Sequence, residues 1–251
     1  LADLELPARS SVKVVEVPPG PPVVSTLLAE IYGPDADSRR ALATRVKDAF
    51  RAVDFVVDVD DSAVRDNFIH DGGSMLAFVK GGSRNTVIER NVFSQQRAGA
   101  SDPAVGLGGD TDSELLQGEQ FEAIHIVFRN NVVMNAAQGA VAVYDAQGAY
   151  LANNLFLNND RVVVEFRAGN GPAHRSEDVR AVNNLFVDTR GRMPTPWLRS
   201  SDALTGLSTS YNTYWNNGAA LPATALFTLS AQPGHLATNP LVTAPAATAN
   251  R

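Results

Sequence analysis

The chain has 251 residues, 44% of them hydrophobic and 19% charged, and its 27 acidic and 21 basic side chains give a formal net charge of -6 at pH 7. That balance argues against a nucleic-acid-binding surface, which is normally basic. With no cysteine there is no disulfide framework and no thiolate metal site, and no apolar run approaches the roughly 20 residues needed to span a bilayer. The lack of cysteine suits a periplasmic or secreted protein. The start at Leu1, with no initiator methionine and no signal-peptide pattern, suggests a fragment or a processed product.

Residues 1–62 stand apart. Residues 12–17 (Val-Lys-Val-Val-Glu-Val) read as a strand, broken by Pro18-Pro-Gly-Pro-Pro22. Residues 23–32 form a second extended run that closes at Gly33-Pro34. Asp35–Ser38 can cap a helix through Ala52, with Leu42, Val46 and Phe50 at four-residue spacing. Residues 55–60 (Phe-Val-Val-Asp-Val-Asp) predict a third strand, so the segment reads as a small α+β unit, strand–helix–strand. The strings Val17-Pro-Pro-Gly-Pro-Pro-Val-Val, Leu28-Ala-Glu-Ile-Tyr-Gly-Pro-Asp35 and Val56-Val-Asp-Val-Asp-Asp-Ser62 resemble the periplasmic porter domain of resistance–nodulation–division efflux pumps. The resemblance implies a porter fragment or a fusion, without the pump's membrane helices.

From residue 63 to the end the chain repeats itself. Asn67, Asn91, Asn131, Asn154, Asn184 and Asn212 each precede two residues that are mostly apolar, at spacings of 24, 40, 23, 30 and 28. A period of 20–30 residues without helical spacing points to a solenoid, and short β-branched runs before each asparagine make it an all-β one. The pattern predicts a parallel β-helix of five or six coils over about residues 64–240, with two or three short strands per coil. Asn91, Asn131, Asn154 and Asn184 should hold equivalent turns, hydrogen-bonded as a ladder, with Phe93, Val133, Phe156 and Phe186 stacked inside. The alanine-, threonine- and proline-rich tail from Gly218 should cover the open end.

A second strand follows each asparagine and ends near a charged residue. Counting from Asn67, Asn91, Asn131 and Asn154 to Lys80, Asp110, Asp145 and Arg167 gives 13, 19, 14 and 13 residues. These counts predict one column holding Lys80, Asp145 and Arg167, joined by Asp110 if residues 94–102 bulge. Insertions at 111–120, 168–176 and 190–201 leave from the same row, and in solenoids such loops gather on one, often functional, face.

The repeat resembles the right-handed parallel β-helix superfamily, its pectate-lyase-like and uronate-polymer-active members in particular. Lys80-Gly-Gly-Ser-Arg-Asn85-Thr followed by Asn91-Val-Phe is similar to the lysine–serine–asparagine coil of the alginate lyase and chondroitinase B family. That resemblance implies β-elimination or epimerisation of an acidic polysaccharide, with Lys80 as the base. Where the family has an arginine in the next coil, this chain has Gly108-Gly-Asp110. The residues themselves allow the same chemistry, which needs a base, a cation for the uronate carboxylate and a group to stabilise the enolate. Lys80 can be the base, Arg167 or Arg84 the carboxylate partner, and Asp110 and Asp112, with Asp145, oxygen ligands for Ca²⁺. Asp145, Tyr144, Glu165, His174 and Trp197 are the candidate substrate contacts. The plain structural alternative for the charged column is a surface ladder, with Lys80, Asp145 and Arg167 as ion pairs between coils. Two further readings stand beside the enzymatic one: a non-catalytic solenoid that binds glycans or other surface polymers along its insertion face, and the porter fragment. A monomer is expected.

Overall fold

The structure, a computed structural model, describes residues 11–16, 27–32, 35–51, 62–116, 119–169, 172–199, 202–224 and 226–241. The chain divides into two compact units, Leu1–Asp61 and Ser62–Arg251. In the first, β1 (Ser11–Glu16) pairs antiparallel with β2 (Leu27–Tyr32), and α1 spans Ala36–Arg51. Asp35 caps α1: its carboxylate accepts the Ser38 backbone N–H at 2.7 Å and the Ser38 hydroxyl at 2.8 Å. The helix packs on β2, with Leu42 and Val46 buried as their spacing predicts. The third strand expected over residues 55–60 and the side chain of Phe50 lie outside the described residues.

The described strands of the second unit fall into four sheets, and every pairing between coils is parallel. Sheet 1 stacks Ser62–Arg65, Thr86–Glu89, Val127–Arg129, Tyr150–Ala152, Arg180–Val182 and Ser208–Ser210. Sheet 2 stacks Phe68–His70, Val92–Ser94, Val132–Met134, Leu155–Leu157, Leu185–Val187 and Thr213–Trp215. Sheet 3 contains Ala77–Val79, Val105–Gly108, Val141–Tyr144, Val162–Arg167 and Thr195–Arg199. Sheet 4 contains Ser83–Arg84, Ala123–Ile124, Ala146–Gln147, Ser176–Glu177 and Leu204–Thr205. This is the parallel β-helix that the asparagine repeat predicts. Each coil carries four strands, however, where two or three were expected. The strands of sheet 4 are only two residues long, too short to show a period-2 pattern.

Register explains the core. Phe93, Val133, Phe156, Phe186 and Tyr214 stand in one inward column of sheet 2, all of them buried. Each fully buried aromatic or aliphatic side chain contributes about 1.5–3 kcal/mol, and stacking makes that burial continuous from coil to coil. Between sheets 1 and 2 the chain turns in two residues. The first is left-handed, with φ of 54–58° at Asp66, Arg90, Asn130, Asn153, Asn183 and Tyr211. The second is the repeat asparagine. Its amide donates to the next asparagine's Oδ1 at 2.9–3.2 Å, from Asn67 through Asn91, Asn131, Asn154 and Asn184 to Asn212. The same Oδ1 also takes the preceding asparagine's backbone N–H, so each rung satisfies buried groups in two coils.

At the far end, residues 226–241 fold over the last coil. Tyr214 donates its backbone N–H to the Leu236 carbonyl at 2.8 Å, Thr213 and Leu236 form a parallel bridge, and Leu229 is buried. On the outer side of sheet 1, Glu89 is buried under arginines, 2.7 Å from Arg129, 2.8 Å from Arg90 and 3.2 Å from Arg65. Burial alone would push its carboxyl up, but the hydrogen bonds and charges of Arg129 and Arg90 hold it below its ordinary value.

Candidate functional site

On sheet 3 side chains alternate between inward and outward faces, and the register decides which residues meet. Val79 pairs with Leu107, and Tyr144 pairs with both Gly108 and Arg167. Lys80, Gly108, Tyr144 and Arg167 therefore stand in one outward column, each at the same step from its asparagine. The count is 13 from Asn67 to Lys80, from Asn131 to Tyr144 and from Asn154 to Arg167, and 17 from Asn91 to Gly108. The loop before Val105 holds the four extra residues. Lys80 and Arg167 share a column as expected, but Asp145 does not. It lies one residue too far along, at φ 44°, and its side chain is buried in the turn against Gly169. A slip of one residue in a strand moves a side chain off its face, and the offset of 14 was that slip. The expected ladder of Lys80, Asp145 and Arg167 is accordingly not formed.

The column opens into a cleft of about 370 Å³. Met75, Phe78 and Lys80 line it from the first coil, Asp102, Gly108, Gly109 and Asp110 from the second, and Tyr144 and Arg167 from the next two. Its floor is backbone. Gly108 has φ +97°, and a Cβ there would sit 1.7 Å from the Tyr144 carbonyl oxygen; a Cβ on Gly109 would lie 2.6 Å from the Lys80 Cδ. The second coil withholds its side chains, so Lys80 can lay its stem across glycine and carry its ammonium beyond, 5.6 Å from the Phe78 ring centroid. Phe78 is 56% exposed. Among the described residues no carboxylate comes within ion-pair distance of Lys80.

Arg167 is held very differently. Its guanidinium donates to Asp102 Oδ1 at 3.0 Å, to the Tyr144 hydroxyl, and to Glu165 at 2.8 Å, and it lies 5.3 Å from the Tyr144 ring centroid. Burial would lower its pKa, but Glu165 and Tyr144 raise it above the ordinary arginine value. Burial pushes the Tyr144 hydroxyl up. The Ser101 hydroxyl, with help from Arg167, holds the Asp102 carboxyl below the usual carboxylate range. Glu165 is therefore a buried partner of Arg167 and of Arg161, not an exposed substrate contact.

Other expected site residues go elsewhere. Trp197 is wholly buried, in register with the inward Val164; its ring lies 5.1 Å from that of Phe186, and its indole N–H donates to the Tyr214 hydroxyl at 2.9 Å. It fills the core and offers no face to a sugar. Arg84 is on sheet 4, paired with Glu119 of the 111–120 insertion and away from the cleft lining. His174 is exposed in its insertion, with Nδ1 2.9 Å from the Gly169 carbonyl, and also lies outside the cleft lining. Asp110 lines the cleft, whereas Asp112 and Asp145 do not join it. Among the described residues no three His, Asp or Glu side chains gather as metal ligands.

Phe78, Asp102 and Glu122 are among the site residues that escaped the sequence reading. Phe78 was within reach: two residues before Lys80 in a strand, it must share its face. Asp102 closes the loop that was expected only to bulge. Glu122 carries no sequence signal, yet it is buried, accepting the Gly81 N–H at 2.9 Å, the Thr111 N–H at 2.5 Å and the Thr111 hydroxyl at 2.7 Å. It ties the residue after Lys80 to the residue after Asp110 and so braces both sides of the cleft. A second cleft, of about 380 Å³, lies within residues 221–237; His235 is the one titratable group in its lining, which otherwise holds apolar and hydroxyl residues such as Leu221 and Phe227.

Among the described residues no helix is long and apolar enough to cross a membrane. A family model described as a right handed beta helix region matches residues 45–186. No curated protein and no solved structure matches the chain.

Proposed function

Because the chain belongs to the right-handed β-helix family, whose fold is shared by many activities, we propose its function from the cleft on sheet 3: it binds an acidic polysaccharide there. The observation that carries this reading is the pairing of Lys80 with the glycine floor. A cation without a carboxylate partner among the described residues stands over the glycine backbone that lines the cleft, next to the half-exposed ring of Phe78. A uronate residue matches that arrangement. Its carboxylate meets the ammonium, its C–H face lies on the Phe78 ring, and its hydroxyls reach the exposed Asp110. In this reading the protein meets its polymer outside the cytoplasm.

β-Elimination is the second reading, favoured by Lys80 and the Tyr144 hydroxyl facing one cleft as base and proton donor. Binding has the stronger support, because it needs only Lys80 and the Phe78 ring, whereas β-elimination also needs Arg167 to exchange Asp102 for the uronate carboxylate.

Titration of oligouronates and neutral oligosaccharides into the protein tests the proposal. Lys80→Ala should weaken oligouronate binding about ten-fold or more, the loss expected for one charge-assisted contact. Its unfolding midpoint should stay within the range of ordinary surface substitutions. Equal binding by wild type and Lys80→Ala, or equal affinity for neutral sugars, contradicts the reading. Rising ultraviolet absorbance during the same titration would mark the conjugated double bond of β-elimination.

A further inference from the structure

We propose that Arg167 and Tyr144 form a second carboxylate subsite in this cleft, which the chain's own Asp102 fills when no ligand is bound. The inference rests on the acidic-polysaccharide reading and adds a built-in competitor to it. Asp102 does not belong to the sheet that carries its partners. It comes from the loop of residues 95–104, which is four residues longer than its equivalents, and its Oδ1 meets Arg167 at 3.0 Å and the Tyr144 hydroxyl at 3.4 Å. Those are the contacts that a uronate carboxylate would make with the same two donors.

Charge counting supports exchange over addition. Arg161 and Arg167 face Glu165 and Asp102, two cations against two carboxylates. An added anion would leave the cluster negative, whereas one that replaces Asp102 keeps it neutral. Of the two carboxylates only Asp102 lines the cleft; Glu165 is buried on its strand. The loop backbone is pinned by Gln96, whose amide donates to the Ser74 and Asp102 carbonyls, and by the Arg97 N–H on the Gly72 carbonyl. Exchange therefore requires the Asp102 side chain to turn, not the loop to open. Lys80 and Arg167 occupy the same outward column three rungs apart, about 14 Å along the axis, so the two subsites would read carboxylates on separate sugar units.

Oligouronate affinity of Asp102→Asn and Asp102→Ala against wild type and Lys80→Ala tests the idea. A contact that closes the subsite nine-tenths of the time lowers apparent affinity about ten-fold, so both Asp102 variants should bind oligouronate about ten-fold tighter. Neutral oligosaccharide binding should not change. If both variants bind as wild type does, or more weakly, while Lys80→Ala still loses binding, the competitor is disproved and the acidic-polysaccharide reading survives. If neither wild type nor the Asp102 variants bind oligouronate, both fall.

Discussion

Asn154→Ala should destabilise the β-helix by about 3–5 kcal/mol, because it strips partners from several buried polar groups at once. The Asn154 Oδ1 accepts the backbone N–H and the side-chain amide of Asn131 at 3.0 and 3.2 Å. Its own amide donates to the Phe128 carbonyl at 2.8 Å and to Asn184 at 2.9 Å. Alanine leaves the Asn131 N–H and the Phe128 carbonyl in a dry turn with nothing to replace the lost partner. Urea unfolding followed by circular dichroism measures the effect, with the exposed Arg180→Ala as a control expected within about 0.5 kcal/mol of wild type. A loss below about 1 kcal/mol at Asn154 would mean that the turn backbone, not the ladder, holds successive coils in register.

Gly108→Ala is the second large effect, and it joins fold to site. At φ +97° an L-residue is strained, and the added Cβ would stand 1.7 Å from the Tyr144 carbonyl oxygen, a backbone atom of the next coil that cannot rotate away. Strain and forced separation of two paired strands together should cost about 3 kcal/mol or more. Because Tyr144 carries the hydroxyl that Arg167 contacts, oligouronate binding should fall with stability. Gly73→Ala is the matched control, since its Cβ would meet nothing within 4 Å. A thermal scan of both variants decides the matter: equal midpoints would show that the glycine floor is not sterically required.

The fold was legible because it repeats. Six asparagines in equivalent settings carry both the turn and the core, and Phe93, Phe156 and Phe186 fall inward whichever coil is read first. The site was only half legible. Lys80 and Arg167 were placed together by a constant offset of 13 residues, but the nearest charged residue in the third coil, Asp145, was one position late. Charge drew the reading to Asp145, while register gives the position to Tyr144. Trp197 was misjudged for a related reason: an aromatic in a loop-like stretch looks available, but its strand pairs it with the inward Val164. Gly108 and Gly109 carry no charge to draw the eye, and their place under the Lys80 stem appears only when the neighbouring coils are stacked on either side. Asp102 and Glu122 act across 65 and 41 residues of chain, separations at which single-sequence patterns carry no signal.

Amide hydrogen exchange with and without a saturating oligouronate tests the central claim most directly, since it locates the ligand without a variant. The account predicts slower exchange in residues 77–81 and 105–111, the strand ends and glycine floor around Lys80, with the outer face of sheet 1 unchanged. Protection confined to the cleft within residues 221–237, or no protection on sheet 3 at a concentration that saturates binding, would contradict it.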